Sequence, residues 1–233
     1  MANTYTITII NQSGTTQKYA LFYAPPFVNS AIESPVFSNA VEVIPARNAD
    51  QITFSVTDQF YGYAGIADGT PGVGDVGIVE MQPMPVSLGG QDMTGAATPG
   101  TVLQMIIIEG APQFTGSELG DVPAFGFSIL ATPSDASNDF TNETAVANHW
   151  VIGLGTCVNR GDVQPAATMT PQLSNIHQIK PTNIWYLTFG SYSQGQIYNI
   201  EADSASTAVF DFTESLNATV IHNDDGQFTV QTS

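Results

Sequence analysis

Strict alternation of apolar and polar residues, repeated along most of the chain, limits its possible folds more than any other feature. Near the start, Tyr5, Ile7 and Ile9 fall on one side of an extended chain and threonines fall on the other. Polar residues 11–14 interrupt this run, and the alternation resumes at Tyr19 and Leu21. The spacing predicts a β-hairpin over residues 4–22, with one apolar face and one hydroxylated face.

The same two-residue period returns to the last residues of the chain. Strands are predicted over residues 51–57, 61–63, 76–82, 102–108, 123–130, 150–154, 184–189, 197–202, 208–213, 218–222 and 227–231. The run 102–108 is apolar on both sides and predicts a central strand covered on both faces. Residues 159–181 are predicted to be mostly irregular, and one short helix is predicted within residues 134–148. Together these elements predict an all-β fold, an antiparallel β-sandwich or jelly roll with at most one short helix.

The length of the chain, 233 residues, suits one all-β domain. We therefore predict a single β-sandwich domain over residues 1–233. Residues 89–100 are rich in glycine, alanine and threonine and lack periodicity, so we expect a long loop or an internal boundary there.

Charge excludes several classes of partner. The chain has 21 acidic and 4 basic residues, which gives a net charge of −17. Four scattered cations cannot neutralise a row of phosphates, so nucleic acid and anionic membrane surfaces are not expected partners. No apolar run approaches the ~20 residues of a membrane span, and no signal peptide is visible. The expected location is the cytoplasm, or an intracellular inclusion or vacuole.

Motifs that would carry catalysis are weak or missing, so we expect no catalytic residues and no cofactor. Residues 72–77 match G-x-G-x-x-G, but the pattern after them is that of a strand, which favours a flexible inter-strand loop over a dinucleotide site. The three histidines lack the spacing of a zinc site and are interpreted as surface or core residues: His149, His177 and His222. A hydrolase would need two carboxylates facing one cleft, and the strand candidates are Glu80, Glu109, Glu201 and Asp211.

Binding is the alternative function that the residues suggest. Sugars stack on flat rings, and the candidate ligand-binding aromatics are Trp185, Tyr61, Tyr63 and Tyr192, with Tyr186 and Tyr198 nearby. Trp185 and Tyr186 are adjacent in a predicted strand, so at least one of them should belong to the core. Calcium is a further candidate ligand, because carboxylates in glycine-rich loops can bind it. The candidates are Asp68, Asp75, Asp224 and Asp225, and the alternative is that they are solvated acidic residues of turns.

The polar residues of the chain are mostly serine, threonine, asparagine, glutamine and glycine rather than lysine and glutamate. Ordering a long charged side chain costs up to ~2 kcal/mol of rotamer entropy, whereas short side chains lose much less. Long charged residues that guard strand edges are also scarce. We therefore expect copies of this chain to assemble when protonation near the computed pI of about 4.1, or divalent cations, offset the charge of −17. A plain acidic monomer is the alternative. Cys157, expected in a loop after Leu154, is either a buried thiol or a cross-link between copies.

The opening residues 4–26, T-Y-T-I-T-I-I-N-Q-S-G-T-T-Q-K-Y-A-L-F-Y-A-P-P, resemble the start of a group of uncharacterised bacterial and fungal β proteins related to OCTIN, the fungal vacuolar crystal protein. The resemblance covers a tenth of the chain and implies self-assembly without catalytic residues. The preferred hypothesis is therefore a non-enzymatic structural, storage or crystal-forming protein. The alternatives are a glycan-binding or small-ligand-binding β-sandwich and a hydrolase with paired carboxylates.

Overall fold

The structure is a computed structural model that describes residues 3–132, 140–158, 161–198 and 206–232. Its strands are β1 (Thr4–Asn11), β2 (Gln17–Tyr23), β3 (Phe27–Asn29), β4 (Phe37–Ala46), β5 (Gln51–Ala67), β6 (Val76–Pro85), β7 (Gly90–Gln91), β8 (Ala97–Thr98), β9 (Gly100–Ile108), β10 (Ala111–Gly120), β11 (Phe127–Ala131), β12 (Trp150–Val158), β13 (Val163–Met169), β14 (Asn175–Lys180), β15 (Ile184–Phe189), β16 (Gln196–Tyr198), β17 (Ala208–Asp211), β18 (Asn217–His222) and β19 (Phe228–Thr232). One short helix, α1 (Asn142–Ala147), precedes β12. The predicted all-β sandwich is confirmed.

Two sheets form the sandwich. The larger sheet follows the order β17-β15-β2-β4-β13-β12-β5-β1-β18-β19, and the smaller one follows β10-β9-β11-β14-β3. Most pairs are antiparallel, but β1–β18 and β9–β11 are parallel. The sheets pack closely at Gly62, where an added Cβ would lie 2.3 Å from Leu103 Cδ1 and 3.1 Å from the ring of Phe127.

The predicted hairpin over residues 4–22 is wrong, although the face of each strand is right. Tyr5, Ile7 and Ile9 are buried as expected. However, β1 pairs with β5 and β18, whereas β2 pairs with β4 and β15. Alternation fixes which side of a strand is apolar, but the partner strand depends on contacts that are distant in sequence.

Six strands of the larger sheet are hydrogen-bonded in a closed cycle. Strand β5 pairs with β12, β12 with β13, β13 with β4, β4 with β16, β16 with β6, and β6 with β5. We call these strands the closed ring. It surrounds a small core of its own, built from Tyr63, Ala67, Val76, Val151 and Ile197.

Other boundaries differ from the expected ones in both directions. The strand predicted over residues 123–130 begins only at Phe127, and the one predicted over residues 208–213 ends at Asp211. Strand β6 continues through Pro83 and Pro85, which edge strands tolerate because no ladder hydrogen bond is needed there. Residues 159–181, expected to be irregular, contain β13 and β14. Residues 89–100 contain the small β7–β8 pair. Strand β9 is buried on the face of Leu103 and Met105 but only partly covered on the face of Val102 and Ile106, so the expected cover on both faces is wrong.

The single described helix falls inside the predicted segment. Thr141 caps it, since its Oγ1 accepts a hydrogen bond from Thr144 N at 3.1 Å and Thr144 Oγ1 accepts one from Thr141 N at 2.8 Å. Residues 134–139, the rest of the predicted helical region, lie outside the described residues. This six-residue helix is too short to cross a membrane, and the described residues contain no longer one.

Candidate functional site

Two of the predicted ligand-binding aromatics are buried, and their assignment is wrong. Trp185 is 1% exposed on β15, where its ring meets that of Tyr23 edge to face at 4.9 Å between centroids. Tyr63 is fully buried inside the closed ring. Its hydroxyl is hydrogen-bonded to Thr168, whose Oγ1 donates to Asn39 Oδ1 at 2.6 Å. Burial raises the pKa of the Tyr63 phenol well above its usual range. Both side chains are packed parts of the core and cannot meet a sugar.

The remaining tyrosines are half-buried. Tyr61 lies on β5, and burial raises its pKa, with a smaller effect from Cys157. Tyr192 and Tyr198 pack edge to face on each other and on Phe22, with centroid distances of 4.9 and 5.4 Å. Burial, followed by the charge of Asp75, raises the pKa of Tyr198 to about 12. Tyr186 packs on the same cluster, while Trp185 faces the core, so this adjacent pair points to opposite faces as expected.

The predicted calcium ligands occupy two separate turns. Asp68 and Asp75 lie between β5 and β6, where Asp68 Oδ1 accepts a hydrogen bond from Gly77 N at 2.7 Å and Asp75 Oδ1 accepts one from Gln196 Nε2 at 2.8 Å. Asp224 and Asp225 lie between β18 and β19, where Asp225 Oδ1 accepts from Gln227 N at 2.9 Å. Over the described ranges, no group of three or more His, Cys, Asp or Glu side chains could hold a metal ion.

The G-x-G-x-x-G motif lies in the same β5–β6 connection and is followed by a strand rather than a helix. The inter-strand interpretation of residues 72–77 is therefore confirmed. A dinucleotide site of the usual kind needs a helix N-terminus at this point.

Cys157 is not in a loop, because β12 continues through it to Val158. Its side chain is buried, and burial, with a smaller effect from Asp162, raises the pKa of the thiol. A buried thiol with a raised pKa is a poor nucleophile and is out of reach of a second copy. The proposed inter-subunit cross-link is therefore wrong.

The histidines and strand carboxylates are dispersed. His177 and His222 are fully buried, and His222 Nδ1 lies 2.8 Å from the hydroxyl of Tyr19. His149 lies half-buried in the turn after α1. Glu80 is exposed on β6 and Asp211 on β17. Glu109 is in the β9–β10 turn rather than in a strand, and Glu201 lies outside the described residues.

A concave site lies at one end of the smaller sheet. A groove of about 480 Å³ is bordered by β3, by the end of β14 and by the turn 123–126. Cross-strand pairing places Phe27 beside Lys180 and Asn29 beside Gln178, so these four side chains share the outer face of the sheet. Asn29 Nδ2 donates to Gln178 Oε1 at 3.0 Å.

The floor and one wall of this groove are fixed by buried contacts. Thr182 N donates to the hydroxyl of Tyr23 at 2.6 Å, which ties the chain after β14 to the core. On the opposite wall, Phe125 N donates to Gly89 O at 2.7 Å and Gly126 N donates to Pro123 O at 2.9 Å. Lys180 Nζ lies 5.8 Å from the centroid of the Phe125 ring, within the range of a cation–π contact.

Sequence reasoning missed all of these groove residues. Phe27, Asn29, Gln178 and Lys180 line the groove, Phe125 lies beside Lys180, and these residues come from three segments that are far apart in the chain. Prolines beside each segment, at 25–26, 123 and 181, were the available signal, because they stop strands and leave the adjacent side chains at a sheet end.

No family model, no curated protein and no solved structure matches this chain. The resemblance of residues 4–26 to the OCTIN-related group thus stays a prediction.

Proposed function

We propose that this chain is a non-enzymatic structural or storage protein that assembles with copies of itself through the outer half of β10. The observation that carries the proposal is an open strand edge, which a β-bulge at Thr115 interrupts only at its inner end. Within the described residues, β10 forms ladder hydrogen bonds with β9 alone. Residues 115–120 read T-G-S-E-L-G and contain a single charge, and Leu119 in this segment is 70% exposed. Such an edge is a template for a further strand.

The other sheet ends are protected in ways that proteins commonly use. Strands β17 and β19, at the two ends of the larger sheet, lie close to each other, which restricts access to both edges. Strand β3 is three residues long and follows Pro25 and Pro26. The free part of β6 contains Pro83 and Pro85, which cannot donate to a ladder. This contrast makes β10 the preferred point of association.

A symmetric antiparallel pair of β10 strands centred on Ser117 would avoid opposing like charges. In that register Glu118 would face Gly116 of the second copy, and the space around a Cβ at Gly116 is open. Apart from Glu118 and Leu119, residues 115–120 have short side chains or none, so these positions would lose little rotamer entropy on contact.

The net charge of the chain opposes assembly, so assembly would depend on pH and on divalent cations. At neutral pH the charge of −17 keeps copies apart. Acid or divalent cations would reduce this repulsion. Hydrogen bonds from Thr94 and Thr213 hold the pKa values of Asp92 and Asp211 below their usual range, so these two carboxylates would stay charged after most others are protonated.

Sedimentation velocity from pH 8 to pH 4, with and without calcium, tests the proposal. We expect monomers at pH 8 in low salt and larger species on acidification or with calcium. Leu119→Lys should suppress association at least tenfold. Val146→Lys adds the same charge at an exposed position on α1 and is the matched control. A monomer under every condition, or equal effects of the two substitutions, would refute the role of β10.

A further inference from the structure

We infer that the groove at the end of the smaller sheet binds an acidic sugar, that is, a pyranose ring that carries a carboxylate. This binding function is separate from self-assembly and involves none of the residues of β10. A volume of about 480 Å³ lies in the range of small-molecule sites and holds one or two sugar rings.

The apolar part of the site is the ring of Phe27. This side chain is 68% exposed although it lies on a strand, and it lines the groove. An exposed aromatic face at the mouth of a groove suits the flat C–H face of a sugar, because aromatic faces carry partial negative charge and C–H groups carry partial positive charge.

The polar part is arranged beside that ring. Asn29 and Gln178 are joined by one hydrogen bond, from Asn29 Nδ2 to Gln178 Oε1. This bond orients both amides and leaves Asn29 Oδ1 and Gln178 Nε2 as an acceptor and a donor for ligand hydroxyls. Thr182 also lines the groove.

The carboxylate is inferred from Lys180. It is the only charged side chain among the described residues that line the groove, in a chain with four basic and 21 acidic residues. At 0.15 M salt the Debye length is about 8 Å, so a ligand in the groove responds to Lys180 more than to distant carboxylates. The ammonium group lies 5.8 Å from the centroid of the Phe125 ring, near the outer limit of a cation–π contact.

The backbone at Phe125 gives independent support. Its φ angle is 62°, a left-handed conformation that is unfavourable for a bulky side chain. Strain of this kind persists where surrounding contacts enforce it and is concentrated at ligand sites. Here it holds a 57% exposed ring against Lys180 rather than in the core.

Calorimetric titration of the full chain at pH 7 and 0.15 M salt tests the inference, with glucuronate, galacturonate and N-acetylneuraminate as probes and glucose and acetate as reference ligands. We expect saturable binding of at least one acidic sugar, about tenfold tighter than that of glucose or acetate. Lys180→Met should reduce the affinity for that sugar to the level of glucose. Phe27→Ala should weaken it at least tenfold.

Val209→Ala, an exposed position on β17, is the control and should leave binding unchanged. Circular dichroism checks that each variant is folded, and Phe27→Leu replaces Phe27→Ala if the latter is not. The inference is overturned if none of the three acidic sugars binds saturably, if glucose or acetate binds as tightly, or if Lys180→Met has no effect.

Discussion

The closed ring buries the aromatic side chain of Tyr63, whereas the smaller sheet leaves that of Phe27 exposed. In the closed ring, β6 and β16 complete the cycle, and Tyr63 lies inside it, fully buried and hydrogen-bonded. On the smaller sheet, no described segment covers Phe27, which is 68% exposed. Whether an aromatic side chain is buried or can contact a ligand therefore depends on whether further strands cover it, and not on the alternation within its own strand.

The largest expected effect comes from truncating one aromatic residue in each region. Tyr63→Ala should lower the free energy of unfolding by about 3–5 kcal/mol, because it leaves a cavity inside the closed ring and removes the hydrogen bond to Thr168. Phe27→Ala should lower it by less than about 0.5 kcal/mol, since its side chain is mostly in solvent. Urea denaturation measures both. Equal losses of stability in the two variants would mean that Phe27 is a structural residue, and the two regions would then not differ in this respect.

The second expected effect is a loss of stability in acid, which depends on the buried inner face of the smaller sheet. Burial lowers the pKa of His177 from 6.5 to about 4, while Gln172 N donates to His177 Nε2 at 3.2 Å. Between these two pH values the unfolded chain binds a proton that the folded chain does not. Stability is therefore intact above pH ~6.5 and falls by about 3 kcal/mol as the pH drops to 4. Urea denaturation at steps from pH 7 to pH 4 measures this slope.

His177→Gln keeps an acceptor for Gln172 N and should flatten that slope. A slope unchanged by the substitution would assign the acid sensitivity to other groups. The variant also serves as a control for the assembly experiment. Species that form at pH 4 in the parent but not in His177→Gln would arise from partial unfolding rather than from paired β10 strands.

The contrast between the two regions explains what the sequence could and could not predict. The buried faces of β1 and β5 followed directly from alternation, as Ile7 and Phe54 show. The burial of Tyr63, and the choice of Trp185 over Tyr186 as the core residue, could not be predicted, because a period of two separates the faces of a strand without showing which of them is covered. The ring closes through β16, which overlaps the predicted strand 197–202, but the sequence does not show that this strand pairs with β4 and β6.

The groove was unpredictable for a related reason. Phe27 and Lys180 become neighbours only through the pairing of β3 with β14, across more than 150 residues. Neither segment is among the predicted strands, because β3 is three residues long and β14 lies in the region 159–181 that was expected to be irregular. Cys157 shows the converse error, since the strand predicted over residues 150–154 continues to Val158 although it contains Gly153 and Gly155. An added Cβ at Gly153 would lie 2.8 Å from the ring of Tyr63, so this glycine is required by packing rather than by a turn.

A smaller effect tests the polar network inside the closed ring. Tyr63→Phe keeps the ring and removes the hydroxyl that bonds Thr168. Because a buried partner then loses a hydrogen bond, we expect a loss of about 1–2 kcal/mol in the free energy of unfolding. Thermal and urea denaturation should agree on this value. No loss would mean that the contacts of the Tyr63 ring alone stabilise this region.

The smallest expected effect concerns the strained backbone at Phe125, where a substitution should raise rather than lower the free energy of unfolding. Glycine adopts a φ angle of 62° without the steric penalty that Phe125 carries, so Phe125→Gly should relieve strain. The exposed ring contributes little to the core, and we expect a gain of up to ~1 kcal/mol in the free energy of unfolding, measured by urea denaturation.

The same variant should lose the preference for acidic over neutral sugars, because Lys180 is no longer held by the ring. Phe125→Ala is the control, since it removes the ring but keeps the strain and should show no gain in stability. A gain in stability without any change in ligand preference would separate the strain at Phe125 from the function of the groove.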